Sequence, residues 1–198
     1  MLFYKSSGPL SFVTMTPKDR PAGARELGTV VGVSCQYGLS IPIAAQLRAT
    51  SFSGGYGNGS FAKAIDRLSE PFVGQGVQIV AGIESRGFLL ATPIAYRLGA
   101  GVVPFRKKGK LPRKVHSASY ALEYGTDSIE AHADAFAKGT KILLIDDVLA
   151  TGGTAGAAIS LIETLGGNLV GSAFLIELSF LDGRAKLPGR KIHSLVTY

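Results

Sequence analysis

An α/β fold built on a doubly wound, mostly parallel sheet with flanking helices is what the sequence predicts, from three features. Lys141-Ile142-Leu143-Leu144-Ile145-Asp146-Asp147 is an almost entirely apolar run closed by two acids, the pattern of a central strand covered on both faces. Val77 to Ile83 is a second run rich in β-branched residues, giving way at Glu84-Ser85-Arg86-Gly87 to a helical stretch through Leu98. Behind the twin acids, Ala155, Ala158, Ile159, Ile162 and Leu165 repeat at helical spacing until Gly166-Gly167, and Leu169 to Leu178 follows as a further strand. Strands and helices that alternate in this way wind into a parallel sheet.

The remaining elements follow in chain order. Residues 1–57 read as a separate N-terminal segment: Pro17 to Arg25 and the glycine- and serine-rich stretch Thr50 to Ser60 show no clean period, and Thr29 to Ser34 is a candidate short strand. The core runs from 58 to 198. It opens with Phe61, Ile65, Leu68 and Phe72 at helical spacing behind a Ser60 cap, a helix over 60–72. Gly101 to Phe105 is a short strand that leads into Arg106-Lys107-Lys108-Gly109-Lys110-Leu111-Pro112-Arg113-Lys114, a mobile basic loop. Ser119 to Tyr124 is the strand that returns from it.

Composition narrows the class. With 198 residues, 46% hydrophobic and 18% charged, the chain is long enough for one substantial core and is no disordered polyelectrolyte. Its longest apolar region, Val77 to Phe105, is broken by Glu84, Arg86, Pro93 and Arg97, so no membrane span is expected. The first residues carry no apolar segment of secretory length, and Cys35 is the only cysteine, which leaves no internal disulfide and points to the reducing cytoplasm. The net charge of +7 attracts polyanions in general, but much of it sits in the basic loop, and no nucleic-acid partner is expected.

The chemistry concentrates at Asp146 to Thr154. Two acids stand at the carboxyl end of a buried strand, where open α/β sheets bind ligands. Gly152 and Gly153 let the backbone approach an anion, Thr151 and Thr154 offer hydroxyls, and the helix that follows presents N–H groups and the positive end of its dipole. Such a loop suits a phosphate, although no lysine follows the glycines as in a nucleotide P-loop. Carboxylates repel phosphate but accept hydrogen bonds from sugar hydroxyls, so a sugar phosphate satisfies both halves of the segment.

In this arrangement Asp146 to Thr154 resembles the phosphoribosyl pyrophosphate signature of the type I phosphoribosyltransferases. Gly82 to Phe88, Arg106 to Pro112, and Ser119-Tyr120-Ala121-Leu122-Glu123-Tyr124-Gly125 resemble, in order and spacing, those members that act on adenine. The resemblance implies a purine-salvage enzyme of the cytoplasm that forms AMP and pyrophosphate from adenine and phosphoribosyl pyrophosphate. It assigns Ala150, Thr151, Gly152, Gly153 and Thr154 to the 5′-phosphate, and Asp146 and Asp147 to the ribose and to Mg2+, the ion being carried by pyrophosphate with the two acids reaching it through water. Arg86 grips pyrophosphate beside Glu84 and Ser85, whose peptide is often cis in this family, with Lys107 and Lys110 adding charge. Arg106 reaches the pyrophosphate of a neighbouring subunit, which implies a homodimer; Glu123 handles the proton of the reacting base next to Tyr124; and Leu178 packs on the base.

The likeness stops near residue 58. Family members carry near their start a proline-rich segment and a Phe-Arg-Asp type motif that form a hood over adenine, and residues 1–57 hold neither. A transferase for another base, and a regulator that senses phosphoribosyl pyrophosphate without turning it over, therefore stay open, since fold alone does not separate them. A regulator needs an added DNA-binding element, and the upstream segment has no convincing helix-turn-helix.

Overall fold

The computed structural model describes residues 2–4, 11–13, 60–122 and 125–198. The expected strand Thr29–Ser34, the Pro17–Arg25 segment and the glycine-rich stretch up to residue 59 lie outside the described residues. Strands β1 (Leu2–Tyr4) and β2 (Ser11–Val13) pair antiparallel by themselves. All other strands among the described residues belong to one sheet.

That sheet is laid down by α1 (Ser60–Ser69), β3 (Ile79–Ile83), α2 (Arg86–Leu98), β4 (Gly101–Lys107), β5 (Val115–Leu122), β6 (Gly125–His132), β7 (Lys141–Leu149), α3 (Gly153–Thr164), β8 (Asn168–Glu177) and β9 (Ile192–Thr197). Its strand order is β5-β6-β4-β3-β7-β8-β9. β4, β3, β7, β8 and β9 run parallel to one another, and the β5–β6 hairpin adds to β4 antiparallel. Side chains alternate across β7: Leu143 and Ile145 join Leu90 and Ile94 of α2 and Leu68 of α1 on one face, while Ile142 and Leu144 join Ala158 and Ile162 of α3 on the other. Burial on both faces explains why β7 reads as a continuous apolar run.

Several expectations need correction. The helix over 60–72 ends at Ser69 and tightens into a 3-10 turn, Glu70–Phe72, because Pro71 cannot supply the next helical N–H. Ile65, Leu68 and Phe72 are buried, whereas Phe61 is 38% exposed. The strand ending at Phe105 continues through Arg106 and Lys107, which pair with Glu130 and Ile129 of β6, so the basic loop starts two residues later than its composition suggests. β6 and β9 were not legible as strands: β6 carries Asp127, Glu130 and His132 in a mixed pattern, and β9 is a half-exposed edge. Among the described residues no helix is long and apolar enough to cross a membrane.

Candidate active site

A cavity of about 310 Å3 opens at the carboxyl ends of β3 and β7. The turn Glu84–Arg86 forms one wall, Ala150 to Ala155 the opposite wall, and Lys107, Tyr120 and Asp127 close a third side, with Asp146 and Asp147 between them. Each wall has a local cause. β7 ends at Leu149, and α3 begins at Gly153 after Gly152, whose φ of 76° lies in the left-handed region that favours glycine. The first turn of α3 therefore points its backbone N–H groups and positive dipole end into the cavity. Across from it, α2 starts at Arg86 directly after the Glu84–Ser85 peptide, which is cis. Gly87 allows α2 to approach β7, since a Cβ there would stand 2.8 Å from the Ile145 carbonyl oxygen and 3.1 Å from Asp146 Oδ1.

Charge is distributed in pairs around this space. Arg86 Nε lies 2.7 Å from Asp147 Oδ2, and Asp147 is 3% exposed. Burial raises the pKa of Asp147, with Arg86 opposing; burial and then the neighbouring Asp147 charge raise that of Asp146 well above the usual carboxylate range. Asp146 Oδ1 also accepts the N–H of Asp147 at 2.9 Å, which fixes its carboxylate at the strand end. This pair is poised to accept hydroxyl hydrogens or to face a cation.

Glu84 gathers the basic strand and loop. Its carboxylate accepts Arg106 Nε at 3.0 Å, the N–H of Lys107 at 2.8 Å and the ammonium of Lys110. Burial alone would raise its pKa, but the bonds from Lys110, Lys107 and Arg106 hold it at about 2. Lys107 Nζ in turn bonds Tyr120 Oη at 2.6 Å and the carboxylate of Asp127, and the Tyr120 hydroxyl donates to Asp127 at 3.1 Å. Desolvation lowers the Lys107 pKa, yet these two partners raise it overall, so the ammonium stays charged in the cavity wall. Glu130 accepts the N–H of Gly109 at 2.9 Å, which ties the tip of the basic loop back to β6.

The structure thus brings Glu84, Ser85, Arg86, Lys107, Asp146, Asp147 and Ala150 to Thr154 to one cavity. Arg106 and Lys110 stand behind that wall on Glu84, and Arg106 Cζ lies 5.8 Å from the centre of the Phe88 ring. Leu178 is buried in the core on the α2 face and is not among the residues lining the cavity. Glu123 and Tyr124 lie outside the described residues. Asp127 and the lining role of Tyr120 were missed by sequence reasoning; they face each other only through the β5–β6 register, which pairs Tyr120 with Asp127. Among the described residues no group of three or more His, Cys, Asp or Glu is placed to hold a metal by itself.

Comparison with known proteins follows the same lines. The phosphoribosyl transferase domain family matches residues 57–192. The adenine phosphoribosyltransferase of Geobacter metallireducens is 52% identical over 139 residues, spanning 70% of this chain and 81% of that protein. The crystal structure of adenine phosphoribosyltransferase from Rhodothermus marinus superposes with a TM-score of 0.70 at 51% identity, covering 72% of this chain and 81% of that one. The Saccharomyces cerevisiae adenine phosphoribosyltransferase, solved with adenine and an imino-altritol bisphosphate, gives a TM-score of 0.70 at 38% identity over 79% of this chain and 86% of that one. A glycine-hinged loop behind twin aspartates and a match across most of the chain lead to one conclusion: it belongs to the phosphoribosyl transferase family, among the adenine phosphoribosyltransferases.

Proposed function

We propose that the chain transfers the phosphoribosyl group of phosphoribosyl pyrophosphate to adenine, giving AMP and pyrophosphate. The observation that carries this reading is the cavity between Asp146-Asp147 at the end of β7 and Arg86 at the start of α2, with the Gly152 loop at its edge. The donor's 5′-phosphate binds the N–H groups and hydroxyls of Ala150 to Thr154. Its ribose hydroxyls donate to Asp146 and Asp147. Its pyrophosphate lies along Ser85-Arg86 and the Lys107 ammonium. In the reaction a base nitrogen forms a bond to C1′ as the bond from C1′ to the pyrophosphate oxygen breaks. Positive charge develops on the sugar, which the two carboxylates face, and negative charge grows on the leaving group, which Arg86 and Lys107 face. Glu123 takes up the proton that the base nitrogen loses.

Mg2+ belongs to this reading as an ion that arrives with pyrophosphate. The donor set fits that mode, because Mg2+ keeps several waters and is held through one or two carboxylates plus substrate phosphates, and Asp146 is a buried carboxylate beside the charge of Asp147, whose own carboxylate already has Arg86 as partner. When bound, it neutralises charge on the departing pyrophosphate. A cytoplasmic homodimer completes the proposal. Leu89 and the 91%-exposed Tyr96 on α2, with Val102 on β4, supply exposed apolar surface for a second copy.

The test is turnover with a panel of bases. The purified protein, phosphoribosyl pyrophosphate and Mg2+ are incubated with adenine, hypoxanthine, guanine, xanthine or uracil, and nucleotide and pyrophosphate are followed together. Equimolar AMP and pyrophosphate with adenine alone is the expected result; turnover of a different base, or of none, overturns the assignment.

A further inference from the structure

The phosphate loop is packed against a distant part of the chain. Gly152 caps α3 at a φ of 76°, a conformation open to glycine, and its carbonyl accepts the N–H of Gly156 at 2.8 Å. Pressed against it is a second glycine from the far end of the chain. A Cβ placed on Gly183 would stand 2.2 Å from the Ala150 carbonyl oxygen and 3.0 Å from the Gly152 nitrogen, and one placed on Gly152 would stand 2.4 Å from the Gly183 carbonyl oxygen. The two backbones are in direct contact, with no room for a side chain on either.

Gly183 opens the short 3-10 turn Gly183–Lys186 that follows β8, so the position of the phosphate loop depends on where this turn is anchored. Leu187, just past the turn, is buried in the core, and the turn's polar anchor is Arg184. Its guanidinium forks onto Glu177, with Nε 2.5 Å from Oε1 and Nη2 2.7 Å from Oε2, and reaches the Ile192 carbonyl and Ser194 Oγ of β9 at 3.3 Å each. Glu177 ends β8 and is 5% exposed, so the acceptor is rigid, and Arg184 is the hydrogen-bond partner that keeps its carboxyl below the usual range. Neither residue lines the cavity, so neither charge is used on substrate.

We propose that Arg184 and Glu177 are positioning residues for the sugar-phosphate site: their bidentate pair pins the 183–186 turn, and the turn holds the Ala150–Gly152 backbone where its N–H groups meet the 5′-phosphate. This rests on the function proposed above. A planar fork is required, because a lysine ammonium makes a point contact with no fixed orientation. The effect reaches the phosphate end of the donor and leaves the adenine end untouched.

The experiment compares wild type with Arg184→Lys, Glu177→Gln, the double variant and Gly183→Ala, the last of which presses a methyl group against the Ala150 carbonyl. Affinity for ribose 5-phosphate is measured by calorimetry, and KM for each substrate and kcat are measured below each variant's melting temperature. Loss of one or two charge-assisted bonds at the phosphate weakens ribose 5-phosphate binding and raises the KM for phosphoribosyl pyrophosphate about tenfold. The KM for adenine stays within about twofold, and the double variant loses no more than either single one, as a coupled pair requires. Folded variants that bind ribose 5-phosphate as wild type does, or that lose adenine and sugar-phosphate affinity equally, overturn the proposal. Should Arg184→Lys not fold, Gly183→Ala decides by the same readouts. A wild-type protein that binds ribose 5-phosphate but makes no AMP overturns the catalytic reading alone; one that binds no ribose 5-phosphate overturns both.

Discussion

Asp146 and Asp147 place two acids side by side at the end of a covered strand, with Arg86 as the ion-pair partner of the more deeply buried one. A carboxyl whose pKa is raised by folding gains stability from its proton; that contribution is complete at low pH and erodes as pH rises through the folded value. Asp146→Asn keeps the oxygen that accepts the Asp147 N–H but cannot ionise, so it should flatten the fall of the melting temperature with rising pH while lowering kcat/KM roughly 100-fold or more. A difference of about 1 kcal/mol appears as about 2–4 °C in a domain of this size, measurable by calorimetry. Glu84 behaves in the opposite sense. Its pKa is depressed to about 2, so its contribution is present above the ordinary carboxylate range and is lost as pH falls through that value. Urea melts between pH 5 and pH 2 should show a steep loss of stability in wild type and a shallower one in Glu84→Gln. An equal slope in both proteins would remove Glu84 from its place as the anchor of Arg106 and Lys110.

The elements around the site differ in how plainly the sequence announces them. β7, its loop and α3 were legible because their signals are local: an apolar run, two acids, a glycine pair and a helical period within 25 residues of one another. The β3–α2 unit was legible for the same reason. β6 was not, since its residues become a strand only by pairing with β4 and β5, and with it went Asp127 and the true start of the basic loop at Lys108. The brace at Gly183 was hidden too, because nothing near residue 183 says that its backbone will touch residue 150. Close packing of elements also carries a prediction. Gly87→Ala sets a methyl group 2.8 Å from the Ile145 carbonyl oxygen, and neither backbone can yield without moving α2 away from β7. A cost of about 1–3 kcal/mol is expected in denaturant melts, as for other overpacked sites, together with loss of activity as Arg86 leaves Asp147.

At the scale of the whole molecule the carboxyl ends of the parallel strands β3, β4 and β7 bring the acids, Arg86 and Lys107 to one cavity, and the antiparallel hairpin adds Tyr120 and Asp127 to its wall. The net charge of +7 suits a small, densely anionic substrate drawn into a cleft. Because screening acts on charged partners, raising ionic strength from about 0.05 to 0.5 M should lower kcat/KM for phosphoribosyl pyrophosphate and leave the KM for adenine nearly constant. The parallel core and its flanking helices follow from periodicity, whereas the strand order, with β6 and β9 in it, comes only from the pairing. The face that recognises the base does not, since the hood expected from the family has no counterpart in residues 1–57.

The central claim is that the Ala150–Thr154 loop seats a sugar 5′-phosphate with the ribose over Asp146 and Asp147. Its most direct test is a crystal structure of the protein with AMP at saturating concentration. Phosphate oxygens within about 2.7–3.2 Å of the loop N–H groups, and ribose hydroxyls at the same distance from the two aspartates, are the predicted result. An AMP molecule bound elsewhere, with the loop in contact only with protein, would contradict it.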